Sequence, residues 1–275
     1  MKLLLDKAKQ IRRAVMQLVV TAKMGHIGGD FSEIEILVAL YYKYLRISPA
    51  TQENSNRDRF VLSKGHSVEA LYCILADLSF FSTADLATYG KFGSRFIGHP
   101  HNKIPGIEMN TGSLGHGLAL GVGMALAGKM DAKAYYTYVV MGDGEVEEGS
   151  VWEAAMAGAH YKLDHLIAFV DKNGLQISGS TEQVMAHENL EERWRAFGWE
   201  VLSINGNDLE QVCMAIETAH KIVGKPIMIV AHTIKGKGCS FMENKVEWHH
   251  RVPTDEEFKK FMQQTKRDDK NDCPC

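Results

Sequence analysis

Apolar side chains at Leu4, Ile11, Val15, Leu18, Val19 and Ala22 recur at helical spacing, which predicts a helix over residues 3–23. Ser32 with Glu35 has the form of a capping box, so a second helix is expected to open there and run to about residue 45. Residues 59–63 read as a short strand, followed by a helix over about 67–78. Residues 112–128 are rich in glycine and alanine, with Gly117, Gly121 and Gly128 inside an otherwise helical pattern. Each glycine costs a helix roughly 1 kcal/mol relative to alanine. Close packing against another backbone is the expected compensation. From there the pattern alternates: strand 135–141, helix 149–160, strand 165–170, helix 188–197, strand 200–204, helix 208–222 and strand 226–231.

Strands separated by helices imply right-handed βαβ units and a mostly parallel sheet, an α/β fold. Ligands of such sheets bind beyond the C-terminal strand ends. The pattern gives one domain over residues 1–264 and a polar, frayed tail over 265–275. With 45% hydrophobic and 24% charged residues among 275, the composition is that of a globular protein, and its net charge of -3 offers no excess of cations for nucleic acid. Charges interrupt the first twenty residues, so neither a signal peptide nor a membrane span is expected. The five cysteines (Cys73, Cys213, Cys239, Cys273, Cys275) lack zinc spacing and suit a reducing cytoplasm.

Two segments carry the candidate chemistry. Gly142-Asp143-Gly144-Glu145 follows the run 135–141, and Asn173 lies thirty positions after Asp143, behind the next strand. Two hard oxygen donors at strand ends suit Mg²⁺ or Ca²⁺ when a phosphorylated ligand completes the shell. Glycines beside Asp143 let N–H groups approach phosphate oxygens. Gly-Asp-Gly and Asn-Gly are also ordinary turn sequences. Four histidines sit among glycines: His26, His66, His99 and His116, with the pair His249 and His250 near the end. Imidazoles exchange protons near neutral pH and bond hydroxyl or phosphate oxygens. The segment 233–238, Thr-Ile-Lys-Gly-Lys-Gly, reads as a flexible basic loop for an anion and is not a Walker sequence.

In chain order these pieces are Gly-His-x-Gly-Gly at 25–29, Ser-Lys-Gly-His at 63–66, Gly-His-Pro at 98–100, Thr-Gly-Ser-Leu-Gly-x-Gly at 111–117, the Gly-Asp-Gly-Glu segment with its asparagine, and Lys-Gly-x-Gly at 235–238. The series resembles the thiamine diphosphate-binding domain of transketolase, from about residue 10 to 258. The resemblance implies a three-layer fold of the pyrophosphate-binding (PP) type, a parallel sheet flanked by helices. It also implies that Asp143 and Asn173 hold Mg²⁺ through side-chain oxygens and Leu175 through its carbonyl, with Ca²⁺ or Mn²⁺ as substitutes. Gly144 would offer its N–H to the diphosphate, beside His66 and His249. Gly112 and Leu114 would border the aminopyrimidine and thiazolium, and Glu148 would couple paired active sites. His26 and His99 would contact donor hydroxyls, and His66 would serve both cofactor and substrate. A further channel histidine is His250 when aligned from Pro253 and His249 when aligned from Trp248; His250 is preferred.

In full-length transketolases the glutamate that activates the cofactor lies in a second, pyrimidine-binding domain. This chain stops about where that domain begins, so the resemblance implies the N-terminal subunit of a split enzyme. A separately encoded C-terminal subunit would complete it, in an α2β2 heterotetramer. The glycine-rich helix 114–129 and the first helix are candidate partner surfaces. The implied reaction moves a two-carbon ketol unit from a ketose or ketose phosphate to an aldose. Pentose phosphates, branched sugars and sulfosugars all remain open as substrates. Competing readings are a 2-oxo acid dehydrogenase E1 α subunit, a protein like deoxyxylulose-phosphate synthase, and a non-catalytic partner that retained the site. Asp30 departs from the pattern. It reads either as a carboxylate that raises the His26 pKa or, preferred, as a solvent-facing residue at a helix N-terminus.

Overall fold

The computed structural model describes residues 1–186 and 189–271, with side chains in the last helix as far as Thr265. Cys273, Cys275, the end of the tail and Glu188 lie outside these residues. Five strands, β1 (Arg59–Leu62), β2 (Thr137–Gly142), β3 (Leu166–Lys172), β4 (Glu200–Asn205) and β5 (Ile227–His232), form one parallel sheet in the order β1-β2-β3-β5-β4. Their side chains alternate between two cores because successive residues of a strand face opposite ways. Tyr138, Val140, Ile167, Phe169, Ile227 and Ile229 pack on one side, and Val139, Met141, Ala168, Val170, Met228 and Val230 on the other.

Helices α1 (Lys2–Ala22), α2 (Ile27–Ala39), α3 (Val68–Asp77) and α8 (Leu209–Ala219) cover the first core. Helices α4 (Gly117–Met130), α5 (Gly149–His160) and α7 (Leu190–Ala196) cover the second. The three-layer parallel architecture expected from the sequence is the one observed. The glycines of α4 act as anticipated: a Cβ on Gly121 would stand 2.4 Å from Val139 Cγ2, so only glycine lets the helix lie this close to β2.

Three elements differ from the expected pattern. Helix α2 starts at Ile27, not Ser32, and is buried along its whole length between α1, α3 and α8. Ser32 and Glu35 make tertiary bonds in place of a cap. The Ser32 hydroxyl donates to Asp171 Oδ2 (2.5 Å), and Glu35 accepts from the Arg12 guanidinium (2.7 Å). A short α6 (Thr181–Met185) opens on Ser180, whose Oγ accepts the Gln183 N–H. Helix α9 (Asp255–Asn271) extends into the stretch read as a tail, and its Phe261 stacks on Phe31 of α2 at 5.7 Å.

Candidate active site

The C-terminal ends of β1, β2, β3 and β5 surround a cavity of about 400 Å³. Beyond β2, Asp143 turns its buried carboxylate across the sheet. Its Oδ1 accepts the Gly144 N–H (2.9 Å), and its Oδ2 accepts the Gly174 N–H (2.5 Å) from the turn after β3. Burial, followed by the nearby Asp171, raises its pKa to about 6. Asn173 stands in that same turn, its Oδ1 accepting the Leu175 N–H (3.1 Å). The Leu175 carbonyl accepts from Lys235 Nζ at 3.1 Å. A carboxylate, an amide oxygen and a carbonyl thus share one wall, and the carbonyl already contacts a cation. Hard oxygen donors of this kind fit Mg²⁺. Among the described residues no group of three His, Cys, Asp or Glu side chains offers a metal site, so non-protein oxygens would have to complete the shell.

Lys235 is buried rather than carried on a loose basic loop, because Gly236 N–H donates to the Gly28 carbonyl (3.0 Å) and fastens the segment to α2. Burial, and then Lys64, lowers its pKa to about 8. Beneath it, Lys64 binds Asp171, Glu33 (3.3 Å) and the Gly29 carbonyl (3.0 Å). Burial opposes the charge on Lys64, but Asp171 and Glu33 outweigh it and raise the pKa. Burial pushes Glu33 up to about 8, whereas at Asp171 the pull of Lys64 outweighs burial and holds the pKa below the usual carboxylate range. Thr233 and Ser32 also donate to Asp171, which anchors the turn bearing Asn173.

The histidines close the mouth. His66 stacks on His249 at 5.1 Å, and His26 lies 5.3 Å from His66, 5.7 Å from His249 and 6.4 Å from His99. Burial is the first cause lowering all four pKa values, to about 4 at His26 and about 3 at His249. Local packing explains their meeting. A Cβ on Gly28 would stand 2.5 Å from the Trp248 carbonyl, so a bare backbone lets the start of α2 seat against the segment carrying His249. His99 lies over Gly112, where φ of +129° and a Cβ only 2.4 Å from His99 Cδ2 both require glycine. His249 Nδ1 is 3.0 Å from Lys235 Nζ and lines the cavity. His250 is exposed, 6.1 Å from His26 and on the outer side of the cluster. His116 is exposed at the start of α4, outside the cavity.

Gly112, Leu114, Gly144 and Glu148 also line the cavity. The loop bearing the first two is fixed by Glu145, which accepts from the Gly115 N–H (2.8 Å), the Gly142 N–H (3.1 Å) and Ser63 Oγ. Sequence reasoning assigned no role to Glu145, Lys64 or Asp171. Lys64 and Glu145 stood inside the quoted motifs and Asp171 at the end of an apolar strand, but no local pattern showed what they would contact.

Neither reading of Asp30 holds. Its side chain is fully buried, and its Oδ1 accepts the Ala70 N–H of α3 at 2.8 Å. The His26 pKa falls rather than rises, because burial and the neighbouring histidines and Lys235 set it.

A family model described as the transketolase thiamine diphosphate-binding domain matches residues 5–271. The chain belongs to the transketolase family. Within that family it is 50% identical over 258 residues to an apulose-4-phosphate transketolase subunit of Phocaeicola vulgatus, covering 94% of this chain and 92% of that one. It is 44% identical over 254 residues to the 6-deoxy-6-sulfo-D-fructose transketolase subunit SqwG of a Clostridium species, covering 92% of each. The transketolase of Campylobacter jejuni superposes with a TM-score of 0.90 at 34% identity, over 97% of this chain and 43% of that enzyme. Human transketolase is 37% identical, with 39% of its length matched. The expected membership of the transketolase family and its thiamine diphosphate-binding fold are both borne out.

Proposed function

We propose that this chain is the thiamine diphosphate-binding subunit of a two-subunit transketolase. It would move a two-carbon ketol unit from a phosphorylated or otherwise anionic ketose to an aldose. The observation that carries this reading is a single cavity walled by Asp143, Asn173 and the Leu175 carbonyl and roofed by His26, His66 and His249, held neutral by burial, with His99 beside His26. Two relatives matched nearly end to end, and named as transketolase subunits, support the two-chain arrangement. In this reading residues 1–264 are the cofactor domain, and a separately encoded subunit supplies the pyrimidine-binding half with its activating glutamate. Exposed Met130 of α4 and Met156 of α5 belong to the face it would cover.

Thiamine diphosphate, when bound, supplies the nucleophilic carbon for ketol transfer. Asp143, Asn173 and Leu175 would hold Mg²⁺, and Lys235, His66 and the Gly144 N–H would receive the diphosphate. Gly112 and Leu114 would flank the ring system. His26 and His99 would bind donor hydroxyls as neutral imidazoles, able both to donate and to accept a hydrogen bond. Of the two late histidines, His249 faces the cavity and is assigned to the cofactor side, with His250 at the entrance. Glu148, beside Gly115, would face the paired site.

Two substitutions in the reconstituted complex test these assignments. Asp143→Ala should weaken cofactor binding by roughly 100-fold, the scale of losing a metal ligand or its support. His99→Ala should raise donor KM more than it changes cofactor affinity. Unchanged activity in Asp143→Ala would remove the catalytic reading, and a cofactor defect in His99→Ala without a donor defect would misplace that histidine.

A further inference from the structure

Helix α3 holds a carboxyl that no step of the proposed reaction uses. Glu69 is fully buried, and so is Asp30 of α2 against it. Asp30 Oδ1 accepts the Ala70 N–H, and Glu69 Oε1 accepts the Tyr89 hydroxyl. The remaining oxygens, Asp30 Oδ2 and Glu69 Oε2, have no hydrogen-bond donor, and the Asp30–Ala70 bond holds the Asp30 carboxyl against the residue that follows Glu69. Two neighbouring carboxyl oxygens buried without a donor call for a proton. We infer that Asp30 and Glu69 share one proton, and that this pair positions the donor-binding histidines.

Among the described residues the surroundings offer this pair no cation. The facing groups are Glu33 from α2, Tyr72 and Cys73 from α3, and Tyr89 and His26 from the adjoining loops. None is a cation at neutral pH, and Lys64 is committed to Asp171, Glu33 and Gly29. Two unpaired charges buried side by side would be far more costly than one retained proton. Burial first, and the partner carboxyl next, accordingly push Asp30 well above the usual carboxylate range.

The pair reaches the site through the main chain. Glu69 Oε1 lies 2.6 Å from where a Cβ on Gly25 would be, so the carboxyl packs on the residue before His26, at the start of α2. Tyr89, held by Glu69, lies beside Gly98, the residue before His99. One turn along α3, the Tyr72 hydroxyl donates to the His99 carbonyl (2.9 Å), with that of Ile97 at 3.0 Å. Asp30 and Glu69 are therefore positioning residues for His26 and His99, an inference that rests on those two as donor-binding groups.

The test compares wild type, Asp30→Asn, Glu69→Gln and the double variant, by donor KM in the reconstituted complex and by Tm of this chain across pH 6–10. A raised carboxyl pKa means that the folded state keeps a proton the unfolded state has lost. Stability is then present at low pH and lost as pH rises through the folded pKa. Wild type should lose Tm and gain donor KM as pH rises. Each single amide replaces the shared proton with a fixed N–H, so both of its profiles should be flatter than wild type. The double variant sets two NH₂ groups against each other and should raise donor KM about tenfold at every pH, the scale of an unsatisfied buried polar contact, with cofactor affinity retained. If it fails to fold, the single variants carry the test. Single amides with wild-type pH profiles would overturn the shared proton. Flattened Tm profiles with unaltered donor KM profiles would overturn the positioning role. Absence of ketol transfer in wild type would count against the proposed function alone, since the Tm profiles need no activity.

Discussion

Three histidines lining one cavity, with His99 beside them, would repel one another if charged, and burial settles the matter by keeping them neutral. With pKa values of about 4 at His26 and about 3 at His249, the folded chain binds fewer protons than the unfolded chain below the ordinary histidine range. Their contribution to stability is complete above about pH 6.5 and is lost as pH falls through those lower values. Tm should decline on acidification from pH 6.5 to 4, and His26→Gln should shallow the decline; an unchanged slope would mean that His26 does not titrate this way. Lys235 is argued at the same scale. Its ammonium is buried beside Leu175 and His249, whereas Lys237 pairs with Glu243 at 3.7 Å. Lys235→Ala should weaken thiamine diphosphate binding roughly 10- to 100-fold, the worth of a charge-assisted hydrogen bond, and Lys237→Ala should change it little. Calorimetric titration separates the two, and equal losses would contradict the assignment. Asp143, Asn173, His26 and His66 were legible in the sequence because glycines beside them mark ligand space, whereas His249 has none beside it. Asp30, Lys64 and Glu145 were not, since their partners come from segments remote in the chain and no local pattern encodes a tertiary carboxyl pair.

At the scale of elements, periodicity carried most of the information. The strands are continuous apolar runs because both faces are covered, and the helices between them follow from their stripes. Helix α2 escaped this logic. Its apolar residues surround the axis, so no stripe marks a boundary, and Ser32 and Glu35 imitate a cap while serving Asp171 and Arg12. Helix α9 is so polar that only Phe258, Phe261 and Met262 betray its buried side. The glycine-rich α4 gives the sharpest test of element packing. Gly121→Val would drive its branches into Val139, and overpacking of this kind should cost about 2–3 kcal/mol of unfolding free energy. Denaturant titration of the isolated chain reads it directly, and a neutral outcome would mean that α4 does not rest on β2 as described.

The molecule as a whole presents one cavity at the C-terminal ends of its strands, lined by Asp143, Asn173, Leu175 and Lys235. The chain matches about two-fifths of the length of human and Campylobacter jejuni transketolase, and nearly all of two relatives named as subunits. That contrast agrees with the split arrangement that the family resemblance implied, which periodicity and composition alone did not carry. In the proposed function, Asp143, Asn173 and Lys235 would bind and orient the cofactor, and a second chain would activate it. The decisive measurement is ketol transfer from a ketose phosphate to an aldose phosphate, with thiamine diphosphate and Mg²⁺, for this chain alone, its C-terminal partner alone and the mixture. Turnover should appear only in the mixture, with pyruvate inert as donor. Robust transfer by this chain alone, or a mixture that decarboxylates pyruvate and ignores ketoses, would contradict the account.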